Sequence, residues 1–214
     1  MTPSETSLLT LEDRLQRICR WEKDPNTLRS AFADLLRLHY SDANHLISQD
    51  IKRLQDYVWH PDPAKSKIFI DVHGKFDPKI VETRPAIFVG ISDMDFERSA
   101  LRNEAQQDFL TGNDYYATIN KCQILLHHIG ATADEVLALA RMTATYFIAF
   151  SQKIRKEFNL GLFNVSKLSR PAILYEAKER WISTVFLDII YFETWKVAVE
   201  SHKLKTIRLR PTIS

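Results

Sequence analysis

The chain has 214 residues, 45% of them hydrophobic and 26% charged, with a formal net charge of +2. That is the composition of an ordinary globular protein, and it excludes collagen-like, disordered and supercharged classes. A chain of this length removes roughly 70% of its unfolded surface from water, so one domain with an appendage can hold a core without covalent staples.

The two cysteines, Cys19 and Cys122, are too few and too far apart for a disulfide framework, which points to a reducing compartment. No apolar run reaches the roughly 20 residues of a membrane span. Residues 1–10 carry neither the basic nor the apolar region of a secretion signal.

The first third reads as helix. Thr10 with Asp13 resembles a capping box, and Leu11, Leu15, Ile18 and Trp21 recur at helical spacing, so a short first helix is expected to end near Lys23. Asp24 followed by Pro25 supplies an N-cap and the one helical position that welcomes proline. Leu28, Ala31, Phe32, Leu35 and Leu36 then mark a second helix with one apolar face. Ser41 caps a third, carrying Leu46, Ile47, Ile51, Leu54 and Val58, which stops before His60, Pro61, Asp62 and Pro63. Those prolines set an expected boundary between a helical segment, residues 1–60, and a core domain, residues 61–214.

Past the prolines the period drops to two. Ile68, Ile70 and Val72 alternate with Lys67, Phe69, Asp71 and His73, which predicts a strand. The unbroken apolar run from Ala86 to Ile91 predicts another with both faces covered. With Gly74 and Pro78 between them, the two are expected to form a long-looped antiparallel pair. Residues 92–113 are acidic and aperiodic, and are expected to be a mobile loop or a short helix. Residues 118–129 read as a third strand.

Thr132 and Glu135 then form a capping box after Gly130, starting a long helix. Its apolar face is Val136, Ala140, Thr143, Ala144, Phe147, Ile154 and Phe158, and Gly161 is its expected stop. Residues 162–168, 182–192 and 205–209 complete the strands. The fold class that follows is α+β: a mixed, mainly antiparallel sheet with a long helix packed across it, preceded by an N-terminal helical segment.

Chemistry is harder to find. Asp62, Asp71 and Lys75 offer the two acids and a lysine of a metal-dependent nuclease, in which the acids would hold Mg²⁺ and the lysine would stabilise the charged transition state. That motif wants an acid two positions before the lysine, where this chain has His73. His127 and His128 are adjacent and point to opposite faces of a strand, so they cannot share one metal. One is expected at the sheet surface and the other near an edge or an assembly contact, and Cys122 is expected to be a buried structural thiol. With five glycines there is little from which to build a phosphate loop, and no nucleophile elbow or H-E-x-x-H pattern is present. No catalytic, cofactor or metal-binding residue is therefore assigned.

Charge is unevenly placed. Asp93, Asp95, Glu97, Glu104, Asp108 and Asp114 face only Arg98 and Arg102, whereas Lys196, Lys203, Lys205, Arg208 and Arg210 make the C-terminal end basic. Solvated surface explains each alone; together they suit head-to-tail assembly or contact with a polyanion, DNA included. Arg84, at the mouth of the apolar strand, joins Lys203, Lys205, Arg208 and Arg210 as a candidate interaction residue.

The order of elements, with R-P-A-I-F-V at Arg84 to Val89, H-H-I-G at His127 to Gly130, the capped A-T-A-D-E-V-L-A-L-A from Ala131 and G-L-F-N-V from Gly161, resembles the tail-terminator and tail-completion proteins of tailed bacteriophages. The resemblance covers most of the chain after residue 28. It implies a non-enzymatic virion protein without cofactor, assembled in the host cytoplasm into a homo-oligomeric, hexameric ring at the head-tail junction. Such a ring caps the tail tube protein and joins it to the neck or connector protein, with the sheath as a further neighbour. DNA passes through its lumen without sequence-specific binding, and no membrane is involved. A head-tail connector on the portal side is the related alternative, and the nuclease is the alternative of another class.

Overall fold

A computed structural model describes residues 25–41, 57–75, 77–98, 104–108, 113–177 and 180–197. The expected first helix, most of the third, the strand at residues 205–209 and the basic residues Lys203, Lys205, Arg208 and Arg210 lie outside the described residues. The fold is α+β, with helices packed on a mixed, mostly antiparallel sheet. The chain clusters into two compact units, residues 1–94 with 121–191, and residues 95–120 with 192–214. These units run differently from the division expected at residue 60.

In the first unit, helix α1 (Pro25–Ser41) turns Leu28, Ala31, Phe32, Leu35, Leu36 and Tyr40 inward, as its spacing predicts. This helix shares one apolar core with the strands. Phe32 lies 5.8 Å from Phe147, 5.9 Å from Phe158 and 5.8 Å from Phe163, so one ring ties the N-terminal helix to the far end of the unit. Aromatic contacts of this kind add about 0.5–1.5 kcal/mol each beyond the area they bury.

Strands β1 (Phe69–Val72) and β2 (Ala86–Ile91) pair parallel, with Phe69 opposite Ala86, which corrects the expected antiparallel hairpin. The reason lies between them: Asp77 accepts a hydrogen bond from the Lys79 N–H at 2.9 Å, and Pro78 opens helix α2 (Pro78–Thr83). A helical crossover lets the chain re-enter the sheet in the same direction, which a hairpin cannot do. β2 is buried along Ala86–Gly90, with Ile87 and Val89 in the main core and Ala86 and Phe88 in a smaller one with Val81, Ile129 and Ala177.

Strand β5 (Asn113–Gly130) runs antiparallel to β2, with Phe88 opposite His127. Its even positions Cys122, Ile124, Leu126 and His128 are buried, while Gln123, Leu125 and His127 are half-buried. Strands β6 (Leu162–Leu168) and β7 (Ala172–Leu174) pair antiparallel with β8 (Arg180–Val197), and the main path across the sheet is β1-β2-β5-β8-β6.

The capping box after Gly130 forms: the Thr132 hydroxyl accepts the Glu135 N–H at 3.2 Å, and the Glu135 carboxylate reaches back to the Ala131 N–H at 2.6 Å. The expected single helix is two, α3 (Ala133–Ala149) and α4 (Ser151–Glu157), because Phe150 departs from helical dihedrals at φ −99 and ψ 8. The stop is also corrected. Asn159, not Gly161, takes the left-handed conformation at φ 50. The Leu160 N–H then bonds to the Arg155 carbonyl at 2.9 Å and the Asn159 N–H to the Lys156 carbonyl at 3.1 Å, a Schellman closure.

In the second unit, strands β3 (Asp95–Arg98) and β4 (Glu104–Asp108) both pair with β5. The described part of residues 92–113 therefore contains strand, where a loop or short helix is expected. Backbone pairing overrides the weak propensity of acidic residues for strands. The Thr118 hydroxyl donates to the Glu97 carbonyl at 2.9 Å, and the Asn120 amide donates to the Glu193 carboxylate at 2.7 Å. Among the described residues no helix is long and apolar enough to cross a membrane.

Candidate functional site

The polar residues that stand out in the sequence are mostly committed to holding the fold. The Arg37 guanidinium projects from α1 to the edge of the sheet. It donates to the Ile70 carbonyl at 3.1 and 2.9 Å, to Asp34 at 2.8 Å and, across 3.2 Å, meets Asp71, while lying 5.9 Å from the centre of the Trp59 ring. Asp71 also accepts the Val72 N–H at 2.8 Å. One of the two acids expected to hold Mg²⁺ is thus neutralised by an arginine, and Asp34, 1% exposed, has its charge matched by the same group.

Asp62 turns to its own loop. It accepts the Ala64 N–H at 3.0 Å and faces Lys65 at 3.9 Å, a solvent-screened pair of little energetic weight. The His60 ring accepts the Asp62 N–H at 2.9 Å, and the Ser66 hydroxyl accepts the His60 N–H at 3.1 Å, so the proline-rich boundary is a hydrogen-bonded turn. The Lys75 side chain lies outside the described residues. Arg84, the candidate interaction residue, is also drawn inward: it donates to the Pro63 and Ser66 carbonyls at 2.6 and 2.8 Å and lies 6.0 Å from the Phe69 ring. It fastens that turn to the start of β2.

The two adjacent histidines separate as their parity requires, and one of them departs from the position expected. His128 is fully buried, where a surface or edge position is expected, because even positions of β5 face α3. Its Nε2 meets the Thr143 hydroxyl at 2.8 Å, and Thr143 meets the Tyr40 hydroxyl at 2.9 Å. This buried polar chain joins β5, α3 and α1 through the apolar core. Burial pushes the His128 imidazole down to about 3, an effect only partly opposed by the main chain at Leu126 and Ser183, so the ring is neutral. Burial likewise pushes the Tyr40 phenol above its ordinary range.

His127 lies on the other face. Its Nδ1 meets the Thr184 hydroxyl of β8 at 2.9 Å, and its ring centre is 5.3 Å from that of His73, in the short 3₁₀ turn His73–Lys75 that follows β1. Burial, with His73 as a second cause, pushes His127 down to about 4. Nothing local in the sequence relates His127 to any histidine but its neighbour. The partner that the fold supplies is remote in the chain, and only the order β1-β2-β5 reveals it.

Further along the same face, the Asp188 carboxylate accepts from the Gln123 amide at 2.7 Å and from the Ser166 hydroxyl at 2.9 Å, and the Lys167 ammonium lies 5.5 Å from the Phe186 ring centre. Cys122 is a free, buried thiol pushed up to about 11 by burial, as a structural cysteine should be. Among the described residues, no three His, Cys, Asp or Glu side chains converge in a way that could hold a metal ion.

What the described surface does display is large apolar side chains. Ile148, Phe150, Leu162, Ile173 and Tyr175 are exposed in the first unit, Tyr175 by 82%, and Phe96 and Phe192 are exposed in the second by 66% and 55%. No family model matches the chain, and no curated protein is significantly similar to it.

Proposed function

We propose that this protein is a structural subunit of a phage neck, forming a ring at the head-tail junction that caps the tail tube and joins it to the connector. The observation that carries the reading is the exposure of large apolar side chains on both compact units, while the charged groups Arg37, Asp71 and Arg84 are spent on internal fastening. A contiguous exposed apolar patch marks a surface that meets a partner, and large side chains of this kind are what such a patch is built from. A subunit of a ring must present two different surfaces, one to each neighbour, because rotation about the ring axis joins unlike patches. Part of the element order supports the same reading: the capped helix after Gly130, followed by antiparallel strands, belongs to the pattern on which the resemblance to tail-terminator proteins rests, whereas the parallel β1–β2 crossover departs from it.

The test is the mass of the purified protein by light scattering, alone and with purified tail tubes or neck components, followed by electron microscopy. A closed ring, or a monomer that closes into one at a tube end, is the expected result. A monomer indifferent to both tubes and portal would overturn the proposal.

A further inference from the structure

The rings of His73 and His127 face each other across β2. Two imidazoles bound to one tetrahedral ion have their ring centres at a fixed separation. Each centre stands roughly 1.2 Å behind its nitrogen and the nitrogen about 2.0–2.1 Å from the metal, which at the tetrahedral angle places the centres roughly 5.2 Å apart. The observed separation is 5.3 Å, with the ring planes inclined by 50°.

Three further features suit a ligand. The Thr184 hydroxyl occupies Nδ1 of His127, which in the Nδ1–H tautomer accepts the proton and leaves the Nε2 lone pair free. A hydrogen bond from the other ring nitrogen commonly orients a ligating histidine in this way. Residue 90 is glycine, which keeps off Nε2 a Cβ that would stand 3.5 Å from it, at ordinary contact distance. His73 is exposed on its turn, so solvent can complete a coordination shell to which the protein contributes only two groups.

We infer that His73 and His127 together hold a divalent transition-metal ion that favours imidazole, of the zinc or nickel kind, at the surface of the sheet. Such an ion ties the turn after β1 to β5 across the intervening β2 and acts as a clip, with water filling its remaining positions. Two protein ligands give a weaker site than the three or four of catalytic and structural zinc centres. The inference is independent of the assembly reading, since it concerns the isolated chain.

Calorimetric titration of the full chain with zinc chloride and with nickel chloride, at neutral pH, tests it. One ion per chain is expected, with affinity falling at least tenfold in His73→Ala and in His127→Gln, and lost in the double variant that carries both. The melting temperature should rise with zinc in the wild type and stay still in His73→Ala, whose exposed position makes it safe for folding. No heat of binding in the wild type, or binding that survives in the double variant, would overturn the inference and leave the two rings as a packing contact.

Discussion

An imidazole sealed against a helix has to arrive without its proton. His128 is neutral in the folded chain, with its ordinary pKa near 6.5 pushed down to about 3, and His127 is pushed down to about 4. Between these values and 6.5 the unfolded chain binds the extra protons. The stability these groups permit is therefore complete above about pH 6.5 and is lost as the pH falls toward 4 and then 3, at up to about 1.4 kcal/mol per pH unit for each group. Replacing His128→Gln keeps a polar partner for Thr143 and removes one of the two titrations. Denaturant unfolding across this range should show a shallower acid branch in the variant than in the wild type, while an unchanged slope would show that His128 does not carry it.

At the scale of elements, the ends of α3 and α4 are set by side chains rather than by length. Asn159 at φ 50 closes α4 by the two reversed hydrogen bonds from Asn159 and Leu160. A β-carbon without a polar side chain is strained there, so Asn159→Ala should cost about 1 kcal/mol in thermal unfolding, and Asn159→Gly should be neutral or slightly stabilising. What could be read from the sequence follows the same division. α1, β2, the start of α3 and β6 each carry their own local signal: a proline after a cap, an unbroken β-branched run, a capping box, a run beginning after Gly161. The direction of β1 against β2 also has a local signal in Asp77–Pro78, the same pair of residue types as Asp24–Pro25, which starts a helix between the two strands. β3 and β4 had none, since their acidic residues become strand only through pairing with β5. Nor does the break at Phe150 have a glycine or proline to mark it. The candidate site was least legible, because His73 and His127 sit in patterns that say nothing of each other until the strand order is known.

Across the whole molecule, the balance between what is buried and what is shown separates stability from association. The aromatic cluster around Phe32 and the Arg37 clamp hold the first unit together, whereas Ile148 and Tyr175 add nothing visible to its core. Substituting Ile148→Ser with Tyr175→Ser should leave the melting curve within about 0.5 kcal/mol of the wild type, as surface changes do. If these side chains join subunits, the same variant should weaken self-association in light scattering. Loss of folding without loss of association would contradict this division of roles.

The chain of hydroxyls from Tyr40 to Thr143 joins residues 103 positions apart, and Phe32 reaches farther still, to Phe163. On a ribosome adding about 5–20 residues per second, β1 and β2 follow α1 within about 2–10 s, whereas Thr143 and Phe163 follow Tyr40 and Phe32 only after roughly 5–25 s. Until the later partners emerge, the apolar side of α1 is covered at most in part, by β1 and β2, and the fate of the nascent chain depends on whatever shields the rest. The yield of soluble protein should therefore be governed by chaperone supply and by the pace of translation through α3 and β6, more than by the final stability of the fold.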